Sequence, residues 1–583
     1  MSWILGFIGH AVPPSLRDRL EAIHPHPLHR IEQPSLYIMA GGIPETCFAG
    51  RSAEGTEQRA AGWIVVGCGI ELRTPYCEVL STEHWSRILS APTPDLKHLD
   101  GHYIVVQWQH DRVTCHSDLF GLRALYFAKM EGGLAFSTRL DWLARLRGHA
   151  EINVEQFGAH WRTFNQLSYE SLVKGIDRLP PNSVAVCSPE SFSMNGSAWT
   201  PEHYTSPQPK NQQEISLLLG CFLHPRTKDH FRLSFGLSGG LDSRLLLALL
   251  LADDHQQFLL HLFGDSGEPD VQVAQRIAKD ENIEQEFFQD PIPPPGESIR
   301  MLQEYIPQSS LVATASSMLR LRYYPQMYSQ RKMLIDGGMG EIARRQFMNR
   351  LLIRGTRALH RRDTAAICKH ISVHRASIFN PETDTAMRKG VESQVRSLWD
   401  TMPGLDALGE ESFVDLLIVR YRFPNYGGME QARMDGQILN YMPFAQPSFV
   451  RAAFAVPLQM KRKARMFRQL INAHRPALKR YPLVKGFTTY PYVLPSMPAL
   501  GWTKIKSKIK RQFTDPTPVN FLTSISQFVL DTVHSSGVYS FPLYDRRAIL
   551  TMVEKFYAGK KELAGEVDWW LAFEVWRQSL GAV

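Results

Sequence analysis

Residues 233–254 read LSFGLSGGLDSRLLLALLLADD: an apolar run, a Ser-Gly-Gly turn, an Asp-Ser pair and a leucine-rich segment. The run RLSFGL predicts a buried strand and DSRLLLALLLADD a buried helix. In an α/β sheet, ligands gather at the carboxyl ends of strands, where a strand turns into a helix. The first turn of a helix offers unpaired N–H groups and a positive dipole end. Gly239 and Gly240 let backbone amides approach a phosphate closely because no Cβ intrudes. Ser238 and Ser243 add hydroxyl donors. Asp242 repels a phosphate, and its sensible role is to hold a Mg²⁺ that bridges phosphate oxygens. The plainer alternative is a capped turn, with Ser238 as cap and Asp242 matched to the helix dipole. The complete string SGGLDS between strand and helix favours nucleotide binding. No G-x-x-x-x-G-K-[ST] string is present, so this is not a Walker-type loop.

Outward from the loop, strand and helix alternate. FLLHLFG and KMLIDGG predict further strands, and EPDVQVAQRIAKDEN predicts an amphipathic helix with Val271, Ala274, Ile277 and Ala278 on one face. Such alternation predicts a parallel sheet covered by helices on both faces. The first two hundred residues read differently, as short strands between turns, with a hairpin expected at His110-Asp111. A polar, proline-bearing linker is expected over residues 200–213. We therefore expect an α/β fold with domains over residues 1–205 and 206–583, the part beyond 410 mainly helical.

The formal net charge of +8 over 583 residues is a mild bias that implies neither nucleic acid nor membrane as a partner. The seven cysteines form no CxxC pair, which fits a reducing compartment rather than a disulfide framework or zinc site. The longest wholly apolar run, residues 245–252, is too short to span a bilayer. With no basic segment or cleavage site near residue 1, a cytoplasmic location is expected.

SGGLDS resembles the pyrophosphate loop of the ATP pyrophosphatases, and the chain resembles the asparagine synthetase superfamily almost end to end. LDGHYIVVQWQHDRVTCHSDLFGLRALYF, GGLAFSTRLDWL and GIDRLPPNSVAV are similar to that family's amino-terminal domain. HLFGDSGEPDVQVAQRIAKDENIEQEFF resembles its second βα unit, and YPLVKGF its late lysine motif. The resemblance implies a glutaminase-like (Ntn-type) αββα sandwich, then an ATP-pyrophosphatase domain with a helical extension. It implies ATP and Mg²⁺ as cofactors and cleavage between the α and β phosphates. Leu237, Ser238, Gly239, Gly240, Leu241, Asp242, Ser243, Phe263, Gly264, Gly338 and Arg465 would hold ATP. Asp242 and Glu341, the latter in IDGGMGEIA, would hold the metal, and Lys485 and Asp242 would be catalytic.

Three departures narrow the expectation. Glutamine-dependent members begin Met-Cys, whereas this chain has Ser2, a weaker nucleophile that needs a dedicated base. The family's glutamine-holding motifs have no counterpart in residues 11–90. In ILNYMPFAQ, Leu439 and Tyr441 stand where the family carries charged residues, which predicts altered amine-side chemistry. With no ammonia made, the substrate itself must carry the amine. This points to the lasso-peptide cyclase type, an AMP-forming carbon-nitrogen ligase acting on a precursor peptide, with a leader peptidase and a leader-recognition protein as partners. The alternatives are a β-lactam synthetase or asparagine synthetase-like ligase using a small amino acid, and a degenerate non-catalytic paralogue. Two further signals are weaker. His24, His26 and His29 read as a loop, and Lys504, Lys506, Lys508 and Lys510 read as a solvated segment.

Overall fold

A computed structural model describes residues 1–24, 26–51, 61–91, 94–201, 211–253, 257–344, 348–509 and 513–581. Two antiparallel sheets dominate the first two hundred residues. One has six strands, in the order Ile176–Arg178, Tyr126–Met130, Gly133–Ser137, Trp3–Gly9, Leu36–Gly41 and His29–Gln33. The other has eight and is centred on the long pair Gly62–Arg73 and Asp100–Gln109.

Side-chain alternation explains why these strands read as uninterrupted apolar runs. Ile4, Ile8 and Ile38 of the first sheet meet Ile64, Val66, Ile104 and Val106 of the second in one core. The intervening residues point outward, where Trp3, Leu5 and Phe7 pack with Leu16, Leu20 and Leu143 of flanking helices. Val65, Tyr103 and Val105 pack against Trp85 of the helix Thr82–Ile88. Both faces of each sheet are thus covered, and no polar face is needed. The expected hairpin turns at His110-Asp111, with His110 at φ 55°.

The second sheet system is fully parallel, in the order Gln285–Phe288, Phe258–Phe263, Arg232–Gly236, Lys332–Ile335 and Asn440–Tyr441. Met333 and Ile335 face the leucine-rich helix Leu241–Leu250, whereas Leu334 faces Met301 and Leu302 on the opposite side. Helices therefore cover both faces. The helix Leu241–Leu250 has no polar stripe because it is buried along nearly its whole length.

The two systems are joined. Pro225–Arg226 adds a parallel strand beside Tyr76–Val79, so the eight-stranded sheet draws on chain beyond residue 205. Most of the expected linker, residues 202–210, lies outside the described residues. Buried Asp435 accepts hydrogen bonds from His102, at 2.8 Å, and from Arg123. The last helix, Ala564–Ser579, stacks Trp576 on Phe157 with ring centroids 6.2 Å apart. Beyond residue 410 the chain is mainly helical, apart from Asn440–Tyr441 and a hairpin of Leu483–Lys485 with Thr488–Tyr490.

The three histidines do not share one loop. His24 ends the helix Pro14–Ile23, His26 follows it, and His29 opens a strand. Lys504 and Lys506 lie on the helix Ser496–Ile509, and Lys506 donates to Thr489 Oγ1 at 2.5 Å. Lys510 lies outside the described residues, as does the side chain of Lys508. No described helix is long and apolar enough to cross a membrane.

Candidate active site

The strand order of the parallel sheet reverses between Arg232–Gly236 and Lys332–Ile335. Open α/β sheets bind ligands outside the carboxyl ends of the strands at such a switch. The two loops leaving these strands are SGGLDS and Asp336-Gly-Gly-Met-Gly-Glu341. They approach so closely that only glycine fits. A Cβ on Gly337 would lie 2.8 Å from the amide nitrogen of Ser243, and one on Gly340 would lie 2.6 Å from the Asp242 carboxyl carbon. Asp336 holds the second loop in shape by accepting the Gly338 N–H at 2.7 Å.

Within the first loop, Ser238 N–H donates to Ser243 Oγ at 3.2 Å, and the two serine hydroxyls are 2.9 Å apart. Gly239 N–H donates to Asp270 Oδ1 at 2.8 Å, and Gly240 N–H to Ser238 Oγ at 3.2 Å. The N-cap of the following helix is Gly240, which makes no side-chain cap. Ser238 therefore is not the helix cap. The helix presents its first amides at the switch point, where an anion is the natural partner. Leu237 and Leu241 are buried in the core beneath and anchor the loop.

Asp242 and Glu341 stand side by side, each paired with an arginine. Arg344 Nη2 lies 2.5 Å from Asp242 Oδ2, and Arg422 Nε lies 3.0 Å from Glu341 Oε1. Burial raises the Asp242 carboxyl above its ordinary range, Glu341 adds to the rise, and Arg344 opposes it. Two adjacent carboxylates suit a hard cation that takes its remaining ligands from phosphates and water, as Mg²⁺ does. Among the described residues no group of three His, Cys, Asp or Glu side chains is placed to hold a metal. Arg344 holds both oxygens of Asp242, so the pair would take a cation shared with a phosphate only with Arg344 moved aside.

Lys485 ends the strand Leu483–Lys485, half-buried beside this group. Burial lowers its ammonium pKa, and the neighbouring Arg344 lowers it further. Its strand is tied to the loop by Val484 N–H, which donates to Gly239 O at 3.0 Å. A Cβ on Gly239 would strike Val484 Cγ2 at 2.3 Å. Sequence reasoning missed Arg244, the residue after SGGLDS. Fully buried, it donates to Tyr481 O at 2.7 Å and Pro482 O at 2.8 Å, clamping the hairpin that carries Lys485 onto the loop helix. The available signal was a charge set directly before a leucine run, a position that demands buried partners.

The remaining expected residues lie at varying distances from this centre. Phe263 ends the neighbouring strand and packs its ring against Phe288 and Tyr323, at 5.3 and 5.6 Å. Gly264 has φ +133°, and a Cβ there would sit 2.5 Å from Glu268 Oε2. Burial, then Asp270 and Asp515, push the Glu268 carboxyl up to about 7. Gly338 is pressed against Met442 and Asp336. Arg465 opens the helix Arg465–His474, where it is exposed and makes no hydrogen bond or ion pair with the loop among the described residues. Arg468 instead reaches inward, donating to the carbonyls of Tyr492 and Leu494. Leu439 and Tyr441 are core residues, and the Tyr441 hydroxyl donates to Phe222 O. Their difference from charged residues is accommodated by packing. Ser2 is fully buried, its hydroxyl against Thr46 Oγ1 and 3.0 Å from Asp435 O, and neither partner is a base.

No family model matches the chain, and no curated protein matches it. Among solved structures it is similar to one described as the allosteric regulatory enzyme of purine biosynthesis, at 9% identity and a TM-score of 0.22. That match covers 40% of this chain and 60% of the other, so the chain spans about three-fifths of its length. It is also similar to glutamine phosphoribosylpyrophosphate amidotransferase from B. subtilis complexed with ADP and GMP, at 10% identity and a TM-score of 0.22, over 57% of this chain and 81% of the other. Similarity at this level assigns neither fold nor activity.

Proposed function

We propose that the chain is an ATP-dependent, AMP-forming amide ligase that closes a macrolactam within a peptide. The observation that carries this reading is the convergence of SGGLDS, the Asp336–Glu341 turn and the Lys485 strand on one switch point. A side-chain carboxylate oxygen of the peptide attacks the α-phosphorus of ATP, and the α–β linkage breaks to release pyrophosphate. The amine of the same peptide then attacks the acyl carbon, AMP leaves, and the amine's proton passes to solvent. A bound Mg²⁺ supplies charge stabilisation on the phosphate oxygens. The first amides of the helix Leu241–Leu250 orient the phosphates, and the ammonium of Lys485 offsets negative charge that grows in the transition state. Holding both ends of one peptide supplies much of the rate, because ring closure is then effectively unimolecular. The burial of Ser2 between a hydroxyl and a carbonyl supports an amine drawn from the substrate rather than from glutamine. A leader peptidase and a leader-recognition protein complete the proposed pathway by exposing the amine and delivering the peptide.

One observation favours a second reading, a non-catalytic paralogue. Asp242 and Gly239 N–H, both expected to serve the nucleotide, are engaged by Arg344 and Asp270. Incubation with ATP, Mg²⁺ and a leader-free peptide separates the two. A peptide product lighter by one water supports the ligase. Failure to bind ATP–Mg²⁺, together with an Asp242→Ala variant indistinguishable from wild type, supports the paralogue.

A further inference from the structure

The net charge of the chain is not spread along it. Residues 344–375 hold nine lysines and arginines against one acid, Asp363, a net +8 equal to that of the whole protein. Much of this charge is ordered into a stripe. Asn349–Arg354 and Thr356–Arg361 are helices that meet at Gly355, whose φ −109° and ψ 1° are not helical. Gly355 N–H donates to Leu351 O and Leu359 N–H to Gly355 O, both at 2.9 Å. Burial keeps its phase through the joint, with Leu351, Gly355, Ala358 and Leu359 all buried, so Arg350, Arg354, Arg357 and Arg361 share the opposite side. All four are exposed. The opposite face, Leu351, Ala358 and Leu359, is buried in a core with Leu398 and Phe413.

The stripe lacks counter-charges of its own. Among the described residues none of the four arginines forms an ion pair or a side-chain hydrogen bond. The nearby acids are otherwise engaged: Asp363 caps the helix Thr364–Ile371, Glu410 pairs with His360 at 2.7 Å, and Glu411 pairs with Arg462 at 3.0 Å. Four like charges over about 16 Å of helix repel one another and are held there by burial of the far face.

We propose that this face is a docking surface for an acidic polypeptide segment. A line of guanidiniums of this length needs several anionic groups at once, which a small anion does not supply. Ile353, 50% exposed, lies among the arginines and offers an aliphatic contact. Residues 348–375 contain no Phe, Tyr or Trp, so the stripe itself supplies none of the aromatic platforms on which single-stranded bases stack. A chain of carboxylates with an interspersed aliphatic residue matches both features. The proposal does not depend on the ligase reading.

The test uses the full-length protein and a fluorescein-labelled peptide rich in glutamate and leucine, followed by anisotropy at low salt. A lysine-rich peptide and a single-stranded DNA of similar length serve as comparators. The glutamate peptide is expected to bind, to weaken as salt is added, and to bind best of the three. Reversing the stripe (R350E, R354E, R357E and R361E together) is expected to weaken binding about tenfold or more, whereas four Arg→Lys changes retain most of it. If the fourfold variant melts early, Arg354→Glu alone is read, with a loss of about threefold expected. The proposal is overturned if the wild type does not bind the peptide, if charge reversal leaves binding unchanged, or if the oligonucleotide binds more tightly.

Discussion

Asp242 and Arg344 stand on the helices that leave the two loops at the switch point and form a paired contact at the edge of the core, with side-chain exposures of 13% and 15%. Breaking such a pair leaves an uncompensated charge in a poorly solvated place. Arg344→Met is expected to destabilise the protein by about 3 kcal/mol. The double variant with Asp242→Asn should recover part of that loss, because the stranded carboxylate is gone. Urea denaturation of the two single variants and the double variant measures the coupling. A fully additive result contradicts the pairing.

Glycines at the loop contacts differ from glycines elsewhere. Gly340→Ala forces a methyl against the Asp242 carboxyl and is expected to weaken ATP–Mg²⁺ binding markedly, as read by calorimetry. Gly565, in the last helix, meets nothing within 4 Å of its Cβ position. Gly565→Ala is expected to stabilise the protein by about 0.5 kcal/mol and leave nucleotide binding unchanged.

Arg244 clamps the Lys485 hairpin to the loop helix through two carbonyls. Arg244→Met leaves both without their donor in the interior, at a cost of about 2–4 kcal/mol. A melting temperature equal to that of wild type contradicts the clamp.

Glu268 gives the site a pH signature. Its carboxyl sits at about 7 in the folded chain, against about 4.5 ordinarily. Between those values the folded state retains a proton that the unfolded state has released. Stability from this group therefore falls as pH rises from about 4.5 to 7 and stays reduced above. Glu268→Gln should flatten that part of the stability–pH curve and raise the melting temperature relative to wild type above pH 7. A steeper curve contradicts the assignment.

Much of this centre was legible in the sequence because local pattern determined it. SGGLDS, the glycines of IDGGMGEIA and Lys485 each lie at a strand end, and the parallel order of the strands brings them together. Less legible were features that depend on partners distant along the chain. Arg244 needs Tyr481 and Pro482, and Arg344 needs Asp242, about a hundred residues away. Leu439 and Tyr441 looked like altered site residues, but the core that receives Tyr441 includes Phe222, which sequence proximity does not reveal. The αββα layering was expected from the family resemblance alone. Its runs read as continuous because the residues between the inward-facing ones are also buried, under helices that periodicity could not assign to a face. The charge of residues 344–375 was visible in composition, but its order became apparent only from the burial of Leu351, Gly355, Ala358 and Leu359, which leaves the four arginines on one exposed side.

The central claim is that the bond broken at SGGLDS is the α–β linkage of ATP. Chromatography of the nucleotides formed from ATP, Mg²⁺ and a leader-free peptide tests it most directly. The account predicts AMP and pyrophosphate in amounts equal to the cyclised peptide, with Lys485→Met slowing their release at least about a hundredfold. Release of ADP and inorganic phosphate would contradict it.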